Sequence, residues 1–363
     1  MACRTNAWLT VVSALSIVTG VAVTYGAIHM HPKPDMARYM RMSALALQKE
    51  VGWPHGNILS THPAWEYYES RFWVLVGVFK DLFHSTFGKG AFMLIMSIMS
   101  PISGFTMVEA MKPTQHVLLG GLSVMLIFFA GQAICIGAAL PIFYVPAYAA
   151  VRALRPGVVH PLPAFSASGL QLLEVLMVLV ALPALLSGLI PTSHSLWVPV
   201  NIWFQVFPIV LVLVSIYGLV APQNPPVSPT ALAAVYRRGR ITSSIVYYTS
   251  LILMAPTLWE HAHGRDLIMN DAIKLILMDA AGVLLTLVFV VVIDAITDPV
   301  PAGSVRVNAH AKNYQGWVVG TVGAMVKSVL LGPGNVMNEY LAEREEAVAP
   351  VHAVVILEEK KSL

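Results

Sequence analysis

Charge is what this chain lacks most. Asp, Glu, Lys and Arg make up 11% of its 363 residues, while 57% are hydrophobic. A soluble domain carries about 25% charged residues. The balance excludes a water-facing globular protein and implies a chain solvated by lipid. A formal net charge of +3 is too weak to hold a polyanion, so nucleic acid is excluded as a partner. Cysteine is nearly absent: Cys3 and Cys135 build neither a disulfide framework nor a cysteine metal site. His261 and His263 form one close pair with no third or fourth ligand nearby, and the histidine clusters of membrane di-iron oxygenases are missing. No aspartate-rich diphosphate motif is present, since Asp294 and Asp298 stand at a span end beside Pro299. Magnesium-dependent ionisation of a prenyl diphosphate is therefore not expected. No glycine-rich nucleotide loop, internal repeat or low-complexity block appears. A retinal-type receptor is disfavoured because Lys274 is not at mid-span. The sequence calls for no metal and no cofactor.

What is present is a series of apolar runs. Crossing the hydrocarbon takes ~20 residues of helix. Seven runs qualify, at about 7–28, 90–111, 116–139, 172–190, 197–220, 242–261 and 272–296. The expected fold is all-α: a single polytopic transmembrane bundle of seven or eight spans over residues 1–363, with interfacial helices. Residues 65–87 mix aromatics with Lys80, Asp81 and His84 and read as an interfacial helix. Residues 316–331 read as a peripheral helix within a tail at 298–363. Pro101, Pro183, Pro208 and Pro256 fall inside spans, where a proline frees a carbonyl and bends the helix. The run at 7–28 is long for a signal peptide and reversed in flanking charge, which favours a retained anchor.

Basic residues set the expected orientation. Ten fall on one side of a seven-span threading: Lys33, Arg38, Arg41, Lys49, Arg71, Arg152, Arg155, Arg237, Arg238 and Arg240. Three fall on the other: Arg4, Lys112 and Arg265. The richer side is expected in the cytosol, which makes the N-terminus lumenal and the C-terminus cytosolic. The ending Lys360-Lys361-Ser362-Leu363 resembles the dilysine retrieval signal of endoplasmic reticulum membrane proteins and agrees with that side.

Five polar residues interrupt the apolar runs: Glu109, Asn201, Gln205, Glu260 and Asp279. A charged group at membrane depth costs roughly 2.5–3.5 kcal/mol even on lenient insertion scales, so such groups mark sites. The seven-span threading gathers all five in the lumenal half and leaves Gln132 and Glu174 in the other. Asn201 and Gln205 are four apart and share a helix face. Asp279 is the deepest carboxylate, flanked by Leu275, Ile276, Leu277 and Met278. Trp203, Phe204, Phe207 and Trp259 interleave with these groups. Each serves either an interfacial belt or a cation–π lining. A carboxylic acid kept neutral by dry surroundings can protonate an epoxide or an olefin. A second carboxylate or an amide can then steady the cation or remove a proton.

Three stretches carry a family resemblance: Asn201-Ile202-Trp203-Phe204-Gln205-Val206-Phe207-Pro208, Leu258-Trp259-Glu260-His261 and Met278-Asp279. With the length and span layout, they make the chain similar to the fungal membrane-bound terpene cyclases of ascofuranone-, ascochlorin- and macrophorin-type meroterpenoid pathways. The resemblance implies cofactor-free, acid-initiated cyclisation of a farnesylated phenolic or quinone-like precursor. It implies a pathway prenyltransferase and a monooxygenase upstream. It assigns Asp279 or Glu260 as the acid and Glu109 as its electrostatic partner or the terminal base. Asn201 and Gln205 would hold the acid or orient the epoxide oxygen, with Trp203 and Trp259 lining the cation path. Two other classes remain open: a small-molecule or proton-coupled transporter or channel, and a non-catalytic lipid-binding protein.

Overall fold

A computed structural model describes residues 2–29, 35–110 (short of 54, 57 and 59–61), 117–154, 167–220, 228–297 (short of 268) and 314–346. Among the described residues the secondary structure is helical throughout. We number the helices α1 (Ala2–His29), α2 (Asp35–Met40), α3 (Ala44–Val51), α4 (Pro63–Leu82), α5 (Thr86–Ala110), α6 (Gly121–Ile134), α7 (Ile136–Ala139) and α8 (Val145–Leu154). There follow α9 (Ala167–Leu189), α10 (Trp197–Val220), α11 (Pro229–Ala262), α12 (Asp271–Thr297), α13 (Tyr314–Leu331) and α14 (333–346). A π-helical turn, Leu140–Tyr144, fuses α7 to α8.

Five stretches among the described residues are long and apolar enough to cross a bilayer: Asn6–Ala27, Thr86–Ala110, Ile136–Leu154, Thr230–Ala262 and Ala272–Thr297. α5 is the axis of the bundle. Its residues are buried from Phe87 to Ala110 with few breaks, as expected of a helix that is apolar all round. α11 runs antiparallel to it: the Ser250 hydroxyl donates to Gly90 O at 2.7 Å, and Ser97 lies level with Ser243. α9 is antiparallel too, with Ser100 Oγ donating to Met177 O at 2.9 Å. α12 runs parallel to α5. Gly137 touches Asp279, and Tyr148 donates to Asp294 at 2.5 Å, so α7–α8 runs parallel to α12. Gly20 lies against Ala138 and Ile142, and Gly26 against Met278, which sets α1 antiparallel to both.

The apolar stretch expected as one span at 116–139 is two segments. Cys135 takes φ 79°, a left-handed conformation rare outside glycine. α6 ends there, and α7–α8 returns alongside it. This reversal corrects the seven-span threading. Counting α7–α8 as one, α1, α5, α6, α7–α8, α9, α10, α11 and α12 alternate in direction. Residues 2 and 346 then fall at the same end, not at opposite faces. The basic residues also divide. Arg38, Arg41, Lys49 and Arg71 lie with α2–α4 at one end. Arg152 donates to Thr297 at 3.2 Å, and Arg237 pairs with Glu346 at 2.5 Å, at the other. The ten-to-three asymmetry that fixed an orientation does not survive. Lys112, Arg155 and the Lys360-Lys361 tail lie outside the described residues.

α4 is not among the membrane-crossing stretches. It lies across the end of the bundle where α5, α10 and α12 begin. Its outer face presents Trp65, Tyr67 and Tyr68. A buried carboxylate, Glu69, accepts from Trp73 Nε1 at 2.7 Å, Ile58 N at 2.8 Å and Gln48 Nε2 at 3.3 Å. This fastens α3 and Ile58 to α4. Tyr39 donates to Asp81 at 3.0 Å, and Lys80 to Glu50 O at 2.8 Å. At the opposite end α14 packs inward against α5, α11 and α12. Asn338 Nδ2 donates to Ser243 Oγ at 3.1 Å, and Tyr340 to Asp294 at 2.8 Å.

Candidate functional site

A cavity of about 310 Å³ opens between α1, α4, α5, the α6–α7 turn, α10 and α12. This size falls within the ~300–1,000 Å³ range of small-molecule sites. Its wall is mostly hydrocarbon. Leu75, Val78, Phe79 and Leu82 close it from α4, while Phe92, Ile95, Met96 and Met99 face it from α5. Three rings from three helices meet edge to face: Phe79–Phe92 at 5.5 Å, Phe79–Phe204 at 5.2 Å and Phe92–Phe204 at 5.0 Å.

Among the described residues that line it, Asp279 is the one carboxylate, and there is no Lys, Arg or His. It is held by a glycine contact between helices. A Cβ added at Gly137 would stand 2.1 Å from Asp279 O, and one added at Gly282 would stand 2.1 Å from Gly137 O. Only glycines let α7 and α12 approach this closely. The approach lets Gly137 N–H donate to Asp279 Oδ1. In hydrocarbon the first amides of a helix need a partner, and α12 supplies one for α7. Asp279 shares the cavity lining with Cys135, Gln132 and Gln205.

The five expected polar residues therefore separate. Asp279 and Gln205 share the cavity. Asn201 is buried one helical turn from Gln205 but does not line the cavity. Glu260 and Trp259 lie at the exposed end of α11. Trp259 is 69% exposed, and Glu260 pairs with Arg265 at 3.1 Å. Trp203 is half-buried away from the wall, where Phe204 stands instead. Phe207's side chain is outside the described set. Glu109 lies at the far end of the bundle, because α5 and α12 run the same way.

There, Arg344 Nη2 donates to Glu109 Oε1 at 2.7 Å, and its Nε lies 3.4 Å from Asp294. Tyr148 and Tyr340 donate to the two oxygens of Asp294. Phe105 lies 5.3 Å beneath the Arg344 guanidinium. Asp294 is fifteen residues from Asp279, or ~22 Å along the helix at 1.5 Å per residue. Glu109 thus has a buried cation as partner and cannot act on a ligand held by Asp279.

No known protein family, characterised protein or solved structure matches the chain. The chemistry of the site accordingly rests on its geometry.

Gln132 is the cavity residue that the sequence threading misplaced. Its Nε2 donates to Gln205 O at 2.6 Å. The reversal at Cys135 carries it to the cavity that Asp279 also lines, and Cys135 itself has no sequence signature of a turn. Arg344 was missed because its partner Glu109 is 235 residues away. The carboxylate pair expected for acid–base work reduces to one acid and two amides. Among the described residues, no group of three or more metal-ligating side chains occurs.

Proposed function

We propose that the chain is a membrane-embedded terpene cyclase acting on a farnesylated phenolic or quinone-like precursor. The observation that carries the reading is a single carboxyl, Asp279, bordering an aromatic-walled hydrocarbon cavity with no basic residue among the described lining residues. Asp279 donates a proton to the terminal olefin or epoxide of the isoprenoid chain. The faces of Phe79, Phe92 and Phe204 stabilise the migrating cation. Ring closure ends when a proton returns to the Asp279 carboxylate or when the substrate's own oxygen captures the cation and releases a proton. Either route is an isomerisation without oxidant or cofactor. The substrate's making calls for a prenyltransferase and, for the epoxide, a monooxygenase in the same membrane.

The test is to express the chain in microsomes and supply farnesylated phenols with and without a terminal epoxide. The expected result is a cyclised product of unchanged mass. No conversion of any such substrate by well-expressed protein refutes the reading.

One observation favours a second reading. Buried polar centres occupy both ends of α12, one at Asp279 and one at Asp294 with Arg344 and Glu109. A proton-coupled transporter uses intramembrane acids placed in this way. Proton flux into liposomes that depends on both Asp279 and Asp294, without cyclisation, would favour it.

A further inference from the structure

The chain beyond α12 reaches back into the bundle and comes out again. Thr297, at the close of α12, and Arg344, on Glu109, both stand at the far end. Between them Gly334 packs against Ser97 O and Ser243, with no room for a Cβ. Ser97 is twelve residues before Glu109 on α5, or ~18 Å along the helix at 1.5 Å per residue. α14 therefore begins deep beside α11 and runs outward. α13 ends at the same depth, where Gly332, at φ 93°, turns the chain against the Tyr247 ring. This depth falls inside Thr230–Ala262, the membrane-crossing stretch of α11. The exposed Ile241, Ile245 and Ile252 of that stretch lie at neighbouring levels.

The last three carbonyls of α13 are all taken by hydroxyls of α11. Tyr247 donates to Val329 O at 2.7 Å, Tyr248 to Leu330 O at 2.6 Å and Ser244 Oγ to Leu331 O at 2.8 Å. A helix end in water can leave such carbonyls to the solvent. In hydrocarbon each needs a partner from the protein. The side chains around these carbonyls are apolar and open: Met325, Val326, Val329 and Leu330 are 52–71% exposed. Lys327 is the one cation of this segment, and its Nζ donates to Glu339 at 3.1 Å. Glu339 lies five residues past Gly334 toward the far end, so the ammonium is led outward, as in a side chain that snorkels.

We infer that α13 and α14 form a re-entrant hairpin whose turn at Gly332 sits within the hydrocarbon. α13 turns Met325, Val326, Val329 and Leu330 to lipid acyl chains. Ser244, Tyr247 and Tyr248 replace the water that its last carbonyls would otherwise bind. The hairpin delivers Arg344 to Glu109 and closes the far end of the bundle without crossing it. The segment expected at 316–331 as a peripheral helix is then a lipid-facing one.

The test places the full-length wild-type protein in phosphatidylcholine nanodiscs that contain a lipid with a diazirine on its acyl chain. After illumination, carbene adducts are mapped by mass spectrometry. Met325, Val326, Val329 and Leu330 should be labelled within a few-fold of Ile245 and Ile252. In the same particles, hydroxyl radicals generated in the water should oxidise Met325 roughly tenfold more slowly than Met40, because the hydrocarbon holds no water. Met40 is 51% exposed on α2. Tyr248→Phe removes one hydrogen bond and should raise the Met325 rate about fivefold. Ser244→Ala/Tyr247→Phe/Tyr248→Phe should bring that rate close to the rate of Met40 and strip the adducts from α13. Adducts on α13 no more frequent than on the exposed 263–266 loop overturn the inference, as does Met325 oxidised as fast as Met40. A folded triple variant unchanged in both readouts overturns it too. If the triple variant does not fold, the wild-type readouts and Tyr248→Phe decide.

Discussion

Replacing Arg344 by Met should destabilise the bundle without touching the cavity. Arg344 is 6% exposed. Its side chain and those of Glu109 and Asp294 are 7%, 5% and 6% accessible in their ion pairs. Removing the cation keeps the methylene packing of α14 but leaves two buried carboxylates short of their shared partner. Breaking a buried pair from one side costs about 3–5 kcal/mol. Arg152, 3.8 Å from Asp294, offsets part of the loss at that carboxylate. At about 2.1 cal/mol/K of unfolding entropy per residue, this lowers the midpoint of a chain this size by ~4–7 °C. The assay is thermal unfolding of detergent-purified protein by intrinsic fluorescence. The double variant Arg344→Met/Glu109→Gln should recover at least half of the loss, because the stranded charge is gone. A midpoint within one degree of wild type, or a double variant no better than the single one, would refute the claim that this network seats α14.

Three other outcomes follow from the geometry. Gly282→Ala places a methyl 2.1 Å from the Gly137 carbonyl, so it should separate α7 from α12 and sharply reduce the yield of folded protein by fluorescence-detected gel filtration. Glu69→Gln keeps an acceptor but weakens three hydrogen bonds to a buried carboxylate, worth about 1–3 kcal/mol in all. It should speed proteolytic cleavage near 53–58 while the rest of the bundle stays protected. Glu260→Gln and Trp259→Ala should leave cyclisation within twofold of wild type, because both side chains are exposed at the end of α11; a loss beyond tenfold would restore them to the site.

The helices were largely legible in the sequence because hydropathy is a local property. α10 covers the stretch read at 197–220, and α12 that read at 272–296. α4 and α13 match the two weaker segments at 65–87 and 316–331 to within a few residues at most ends. Direction was not legible. Residues 116–154 form one apolar stretch, and the reversal inside it depends on a positive φ at Cys135, a residue with no turn propensity. That single turn moved Glu109 to the far end, brought Gln132 into the cavity that Asp279 lines and undid the basic-residue count. Asp279 was legible because a carboxylate amid Leu, Ile and Met is costly wherever the neighbouring helices lie. The Glu109–Arg344 pairing was not, since Arg344 lies in a tail segment whose inward packing no local pattern announces.

The central claim is that Asp279 supplies the proton that starts cyclisation. Asp279→Asn keeps the side chain's shape and its acceptor for Gly137 N–H while removing the acid. Its turnover of the best farnesylated substrate should be measured in microsomes at matched protein level, by mass spectrometry. The account predicts a fall of about 10²–10⁴-fold, with the protein still folded. Turnover within a few-fold of wild type would contradict it.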